Sequence, residues 1–162
     1  MQIEDLTSLL LGGPPEDEAA SSRKPATFAQ AFVLGFSSLM LDLSSLHPTP
    51  DQVSSLWTFF ANKVDIRFKI LHKPTTQQLV LGAANQPNSV DKNIEPLLFS
   101  IYYASIANMS EDDCQTYLDE SRDSLLTKYR FGTEQALTRA EFLVSAEVVI
   151  LQALVLFTVS IS

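Results

Sequence analysis

The sequence predicts an all-α protein, a multi-helix unit that follows a disordered amino-terminal segment. Signals for the start of a helix recur along the chain. In each of them, a residue with a side-chain hydroxyl or amide group stands before a proline or an acidic residue. Apolar residues recur at spacings of three, four and seven between those signals, which is the period of a helix. Between Ile94 and Ser162 these patterns divide the chain into four helices with clear stops.

Composition limits the kinds of partner that this chain can bind. The chain has 162 residues and a formal net charge of -8, so one domain is expected and contact with a nucleic-acid phosphate backbone by this chain alone is disfavoured. Cys114 is the one cysteine. A single thiol excludes an internal disulfide and a cysteine-rich zinc site.

Residues 1–27 are expected to form a disordered acidic tether. They contain Gly12-Gly13-Pro14-Pro15 followed by Glu16, Asp17 and Glu18, and such a composition does not bury enough apolar surface to fold alone. The stretch Phe28 to Leu46 is richer in apolar residues but lacks a clean period. We expect it to dock on the domain.

The first well-marked helix begins at a capping box. Thr49 is placed to cap this helix, and Pro50 would occupy its first position. Gln52, three residues after the cap, would complete the capping box. Apolar residues then share one face: Val53, Leu56, Trp57, Phe60 and Val64. Further along, Pro74 should break the chain and Thr75 should cap a helix over 76–84.

The next two helices are predicted from their first turns. Asn93 is placed to cap a helix with Glu95 and Pro96 in its first turn, and its apolar residues continue nearly all the way round, which predicts burial. Ser110 then opens a capping box for a short helix ending at Leu118.

A long helix is predicted over 120–143. Its apolar stripe consists of Leu125, Tyr129, Ala136, Ala140 and Leu143, widened by Leu126 and Leu137. Its solvent-facing side is expected to carry Arg122, Lys128, Arg130, Glu134, Arg139 and Glu141. Gly132 in the middle lowers helix propensity by about 1 kcal/mol against alanine, which is tolerable if another helix approaches closely there.

The last helix is expected to be capped by Ser145, with Glu147 in its first turn. The chain ends inside this apolar segment, which favours the front part of a larger helical domain. An alternative is a small single-pass membrane protein anchored by residues 142–162, since these are about the twenty residues that a span requires. Ser145, Glu147 and the internal Gln152 argue against this alternative, and no membrane contact is expected.

No catalytic, cofactor-binding or metal-binding residue is predicted, and the chain is not expected to be an enzyme. His47 and His72 each stand beside or near a proline at a helix boundary, which favours structural roles. Cys114 follows three acids that would raise its pKa. Those acids, Glu111 to Asp113, could bind a metal but more often stabilise a helix amino terminus.

Several separated motifs, in order, resemble the regulatory middle homology domain of fungal zinc binuclear-cluster transcription factors. They are Leu43-Ser44-Ser45-Leu46-His47-Pro48-Thr49-Pro50, Leu56-Trp57-Thr58-Phe59-Phe60, Val64-Asp65, Lys69-Ile70-Leu71-His72-Lys73-Pro74-Thr75, Pro96-Leu97-Leu98-Phe99-Ser100-Ile101-Tyr102-Tyr103-Ala104, Tyr129-Arg130 and Leu151-Gln152-Ala153-Leu154-Val155-Leu156-Phe157. The resemblance covers roughly Leu43 to Ser162, and residues 28–162 are expected to be the amino-terminal part of that domain.

The resemblance implies a nuclear regulator of RNA polymerase II transcription, acting on a metabolic or secondary-metabolite pathway. The family binds DNA through a six-cysteine zinc cluster, which this chain lacks, so neither zinc nor DNA binding transfers to any residue here and no cofactor is expected. A protein partner is expected instead, either a full-length relative or another helical protein, because the last helix has an apolar face to cover.

Overall fold

The structure, a computed structural model, describes residues 42–141 and 146–161. The predicted tether and most of the apolar stretch after it lie outside these residues. The described part is helical and has no strand, which confirms the all-α prediction. Its helices are Pro50–Phe59 (α1), Asp65–Phe68 (α2), Lys73–Asn85 (α3), Glu95–Ala107 (α4), Glu111–Leu118 (α5), Arg122–Arg139 (α6) and Val148–Ile161 (α7), with a π turn over Phe60–Val64 and 3-10 turns over Ser44–Leu46 and Pro87–Ser89.

Helix α4 is the centre of the fold. Every residue from Glu95 to Ile106 is buried, and α6 and α7 make the most extensive contacts with it, while α1 also packs on it. A helix that is apolar on all sides can be stable only when other helices surround it, so the predicted burial is confirmed.

The predicted cap of α4 is wrong. Ile94 occupies the cap position without a side-chain hydrogen bond, and the Asp91 carbonyl accepts from the amides of Ile94 and Glu95 at 3.0 Å each. This preceding turn satisfies the first amides, and the Asn93 side-chain amide donates instead to Glu147 Oε1 at 3.1 Å.

Helix α1 begins as predicted. The Gln52 amide donates to Thr49 Oγ1, the Thr49 amide donates to Gln52 Oε1, and Pro50 lies in the first turn. The predicted apolar face, Val53, Leu56, Trp57, Phe60 and Val64, is buried. The π turn at Phe60–Val64 was not foreseen.

Helix α3 starts earlier than predicted. Lys73 begins it and Pro74 lies in its first turn, where the missing N–H leaves no hydrogen bond unmade. Thr75 is therefore inside the helix and not its cap, and its hydroxyl lies 2.9 Å from His72 Nδ1.

Both ends of the predicted long helix are corrected. Ser121 caps α6 by accepting from the Ser124 amide at 3.3 Å, so the helix begins at Arg122. It ends at Arg139, and Glu141 adopts a left-handed φ of 54° that a continuing helix does not allow. Leu143 lies outside the described residues.

One residue that was predicted to face solvent on α6 is buried instead. Glu134 is only 2% exposed and pairs with Arg130 Nε at 3.1 Å. The apolar residues assigned to the stripe between Leu125 and Ala140 are buried as predicted, with Leu126 partly buried.

Gly132 lies where α4 and α6 touch. A Cβ atom at this position would be 2.8 Å from Phe99 Cδ1 and 2.9 Å from Phe99 Cε1, distances that side-chain carbons do not tolerate. The predicted close approach of a second helix is confirmed.

The short helix α5 also begins as predicted, because the capping box of Ser110 and Asp113 is complete. Helix α7 starts one residue after Glu147, so Glu147 is not in its first turn, although its carbonyl accepts from the Ile150 and Leu151 amides. The predicted cap, Ser145, lies outside the described residues.

Within 42–141 and 146–161, no helix combines the length and apolarity needed to cross a membrane. A span requires about 20 apolar residues, and α7 has 14. The membrane-anchor alternative over 142–162 is therefore not favoured.

Candidate functional site

A buried polar cluster joins the segment before α1 to the two long central helices. Glu95, at the start of α4, lies with Oε2 3.2 Å from His47 Nε2 and accepts through Oε1 from Arg139 Nη1 at 3.1 Å. His47 Nδ1 lies 3.4 Å from the Tyr102 hydroxyl. Both carboxylate oxygens thus have a cationic or polar partner, which a buried carboxylate requires.

The centre of the cluster is shielded from solvent, which favours a structural role. The side chains of His47 and Glu95 are 2% and 6% exposed, and the His47 ring lies 4.7 Å from the ring of Phe99. Burial, with smaller contributions from Tyr129 and Glu95, raises the pKa of the Tyr102 hydroxyl far above its usual value, so this phenol stays protonated.

The other residues considered for chemistry are dispersed. His72 is exposed and lies beside Thr75, whereas Cys114 is buried. Burial, followed by the neighbouring Glu111 carboxylate, raises the pKa of the Cys114 thiol, which disfavours the reactive thiolate.

The acids at the start of α5 serve the backbone. The Glu111 carboxylate accepts from the Arg122 amide at 3.3 and 3.1 Å, and Asp113 completes the capping box. In the part of the chain that the structure describes, no group of three His, Cys, Asp or Glu side chains is placed to hold a metal ion. That no residue here is catalytic or metal-binding stays a prediction.

Arg122 has a structural role that the sequence did not reveal. It was assigned to the solvent-facing side of a long helix, yet its Nε donates to the Met109 carbonyl at 3.0 Å and its Nη2 to the Ala107 carbonyl at 2.7 Å. A cation here meets carbonyls left free at the end of α4 and the negative end of that helix dipole.

An open groove of about 350 Å³ lies between the α1–π-turn junction and α5. Its lining includes Ser54, Ser55, Thr58, Asn62, Lys63 and Tyr117. These side chains offer hydroxyls, one amide and one cation. The lining contains no carboxylate, imidazole or thiol, so the groove has no general base of those types.

The outer face of α7 exposes several large apolar side chains. It consists of Val148, Leu151, Val155 and Ile161, which are 67%, 47%, 48% and 44% exposed. The opposite face of α7 packs on α4, where the Ser100 hydroxyl donates to the Ala153 carbonyl at 3.0 Å. Since α7 carries no charged residue, its outer face fits an apolar protein surface better than a charged ligand.

Comparison with known proteins supplies relatives of one class. The chain is 34% identical over 119 residues to the aurofusarin cluster transcription factor aurR2 of Gibberella zeae, covering 74% of this chain and 18% of that protein. It is 33% identical over 149 residues to the pyriculol/pyriculariol biosynthesis cluster transcription factor 1 of Pyricularia oryzae, covering 91% of this chain and 20% of that protein. It is 28% identical over 166 residues to the C6 finger domain transcription factor adaR of Aspergillus niger, covering 97% of this chain and 21% of that protein.

These relatives are fungal transcription regulators by name, and the chain spans about a fifth of their length. Their names are not those of enzymes, which agrees with the prediction that the chain catalyses no reaction. No family model matches the chain. No solved structure matches it either.

Proposed function

We propose that this chain is the helical regulatory part of a fungal transcription regulator of the zinc-cluster class. Residues 28–162 are the amino-terminal part of its regulatory domain, and residues 1–27 link to it. The similarity of 74 to 97% of the chain to fungal transcription regulators carries this proposal. Because two of those regulators are named after the aurofusarin cluster and the pyriculol/pyriculariol biosynthesis cluster, the genes it regulates belong to a biosynthetic cluster.

The proposed role is exerted in the nucleus through protein contacts. A zinc cluster of the six-cysteine type needs more thiols than the single Cys114 supplies, and a net charge of -8 disfavours the DNA backbone. DNA is therefore reached through a zinc-cluster region that is not among these residues, and this chain modulates the activity.

The partner that we propose is a helical protein, such as a full-length relative, bound at the outer face of α7. This face is apolar and uncharged, and a second amphipathic helix covers such a face through residues spaced by three, four and seven. Covering it removes Val148, Leu151 and Val155 from water.

A tethering experiment tests the regulatory role. The full chain is fused to the DNA-binding domain of an unrelated regulator, and the output of a reporter gene carrying its sites is measured in a fungal host. We expect the output to change several-fold relative to the DNA-binding domain alone. The double substitution Leu151→Glu/Val155→Glu should remove most of that change, because two charges on the outer face oppose burial.

The matched control places the same charges on another exposed helix. Gln77 and Gln78 are exposed on α3, and Gln77→Glu/Gln78→Glu adds equal charge without altering an apolar face. We expect this variant to behave as the unchanged fusion. A reporter output equal to that of the DNA-binding domain alone would refute the proposed role.

A further inference from the structure

The outer face of α7, taken alone, is smaller than the interface of a stable dimer. Four of its side chains are large apolar groups between 44% and 67% exposed, whereas a standard interface between two proteins uses about 20 to 30 residues on each side. A segment of the same chain needs fewer contacts, since a covalent connection gives it a high effective concentration.

The chain supplies a segment of matching chemistry. From Pro25 to Leu41 there is no Asp, Glu, Lys or Arg, and the large apolar residues of this stretch are Phe28, Phe32, Val33, Leu34, Phe36, Leu39, Met40 and Leu41. Helix α7, over Val148–Ile161, is uncharged as well.

The described part of the chain places this segment within reach. Leu43 is 1% exposed, the 3-10 turn at Ser44–Leu46 that follows it contacts α6, and His47 Nε2 lies 3.2 Å from Glu95 Oε2. Arg139 ends α6 and contacts Glu95, and the neighbouring Asn93 contacts Glu147, which immediately precedes α7. The chain therefore enters the fold at the end where α7 begins.

The length is also sufficient. A helix of 14 residues is about 21 Å long, and the fourteen residues 28–41 can extend to about 46 Å. The segment can thus follow the whole outer face of α7 from its point of entry.

We propose that residues 28–41 dock on the outer face of α7 and cover Val148, Leu151 and Val155. The segment then competes with any helical partner for the same face. This inference goes beyond the proposed role in transcription, because the docking is intramolecular and needs neither DNA nor a partner.

Photocrosslinking in the purified full chain tests the proposal. A benzophenone amino acid replaces Leu151, an exposed position whose substitution leaves the core intact, and the crosslinked peptides are identified by mass spectrometry. We expect crosslinks to residues 28–41 whose yield does not change on tenfold dilution. The same probe at Gln78, exposed on α3, should not reach that segment.

Two triple substitutions, one within residues 28–41 and one within residues 1–27, test whether the crosslinks depend on the proposed segment. Phe32→Ser/Phe36→Ser/Leu39→Ser should lower the yield by about tenfold, because apolar contacts with α7 are removed. Leu6→Ser/Leu9→Ser/Leu10→Ser, which alters another apolar patch in the first 27 residues, should leave the yield unchanged. Circular dichroism of both variants checks that they keep their helices.

Three results would overturn the proposal. They are a crosslink from Leu151 to a second copy of the chain, crosslinks confined to residues outside 28–41, and equal yields from the two triple variants. None of these depends on reporter output, so failure of the docking and failure of the regulatory role are distinguishable.

Discussion

Gly132 is the residue at which α4 and α6 come closest. The ring of Phe99, which is fully buried, occupies the space that a Cβ atom would need. Here the absence of a side chain is a packing requirement that outweighs the loss of helix propensity.

Substituting Gly132 by alanine should therefore destabilise the protein. Helix propensity favours alanine by about 1 kcal/mol, but overpacking a buried site typically costs about 1 to 3 kcal/mol, and contacts of 2.8 and 2.9 Å place this site toward the upper end. We expect the free energy of unfolding, measured in urea, to fall by about 1 to 2 kcal/mol.

Gly82 on α3 provides the control. Beyond the neighbouring residues and backbone of α3 itself, no atom lies within 4 Å of a Cβ built there, so Gly82→Ala should raise the free energy of unfolding by up to about 1 kcal/mol. Stabilisation by both substitutions would show that α4 and α6 do not meet at Gly132.

At the scale of elements, α4 depends on neighbours that satisfy its ends. His47 and Arg139 reach the Glu95 carboxylate at its amino end, and Arg122 donates to two carbonyls at its carboxyl end. The two residues of each contact are 13 to 48 positions apart in the sequence, so these contacts fix how the elements pack.

Removal of the Arg122 guanidinium should weaken this packing. Hydrogen bonds from a charged group contribute about 1.5 to 3 kcal/mol, and Arg122→Ala would leave the carbonyls of Ala107 and Met109 without that donor. We expect a loss of about 2 kcal/mol in the free energy of unfolding, together with faster amide exchange at the junction of α4 and α5.

Arg67 supplies the comparison, because it is exposed and donates to the side chain of Asn108 next to the same helix end. Arg67→Ala should lower the free energy of unfolding by no more than about 1 kcal/mol. Equal losses for the two variants would contradict the capping role of Arg122.

What could be predicted from the sequence was the local part of this arrangement. The capping boxes at Thr49 and Ser110 involve residues three apart, and the burial of α4 follows from its composition. Contacts between distant residues could not be predicted in this way. Glu134 was assigned to solvent because its burial depends on how α6 packs. The predicted ends of α6 missed the side-chain cap supplied by Ser121 and the left-handed φ of Glu141.

The same limit applies to the candidate functional surface. The apolar sequence of α7 indicated that one of its faces needs a partner, but which face remains exposed after α4 is covered depends on the packing of Ile150, Ala153 and Phe157. The residues that stay outside, Val148, Leu151 and Val155, became evident only from the fold.

At the scale of the whole molecule, apolar burial and net charge have different effects. Apolar burial around α4 stabilises the helical unit, while a net charge of -8 disfavours contact with a nucleic-acid backbone. The outer face of α7 carries no charged residue. It connects the fold to the proposed regulatory role, because a partner or residues 28–41 would bind there.

The most direct measurement of the regulatory role is made in the organism that encodes the chain. Leu151→Glu/Val155→Glu is introduced at the genomic locus, and transcripts of a biosynthetic gene cluster are quantified beside a Gln77→Glu/Gln78→Glu strain and a deletion strain. We predict that the cluster transcripts change together, several-fold, in the deletion strain and in the outer-face variant but not in the α3 control. Transcript levels that deletion leaves unchanged would contradict a role in transcription.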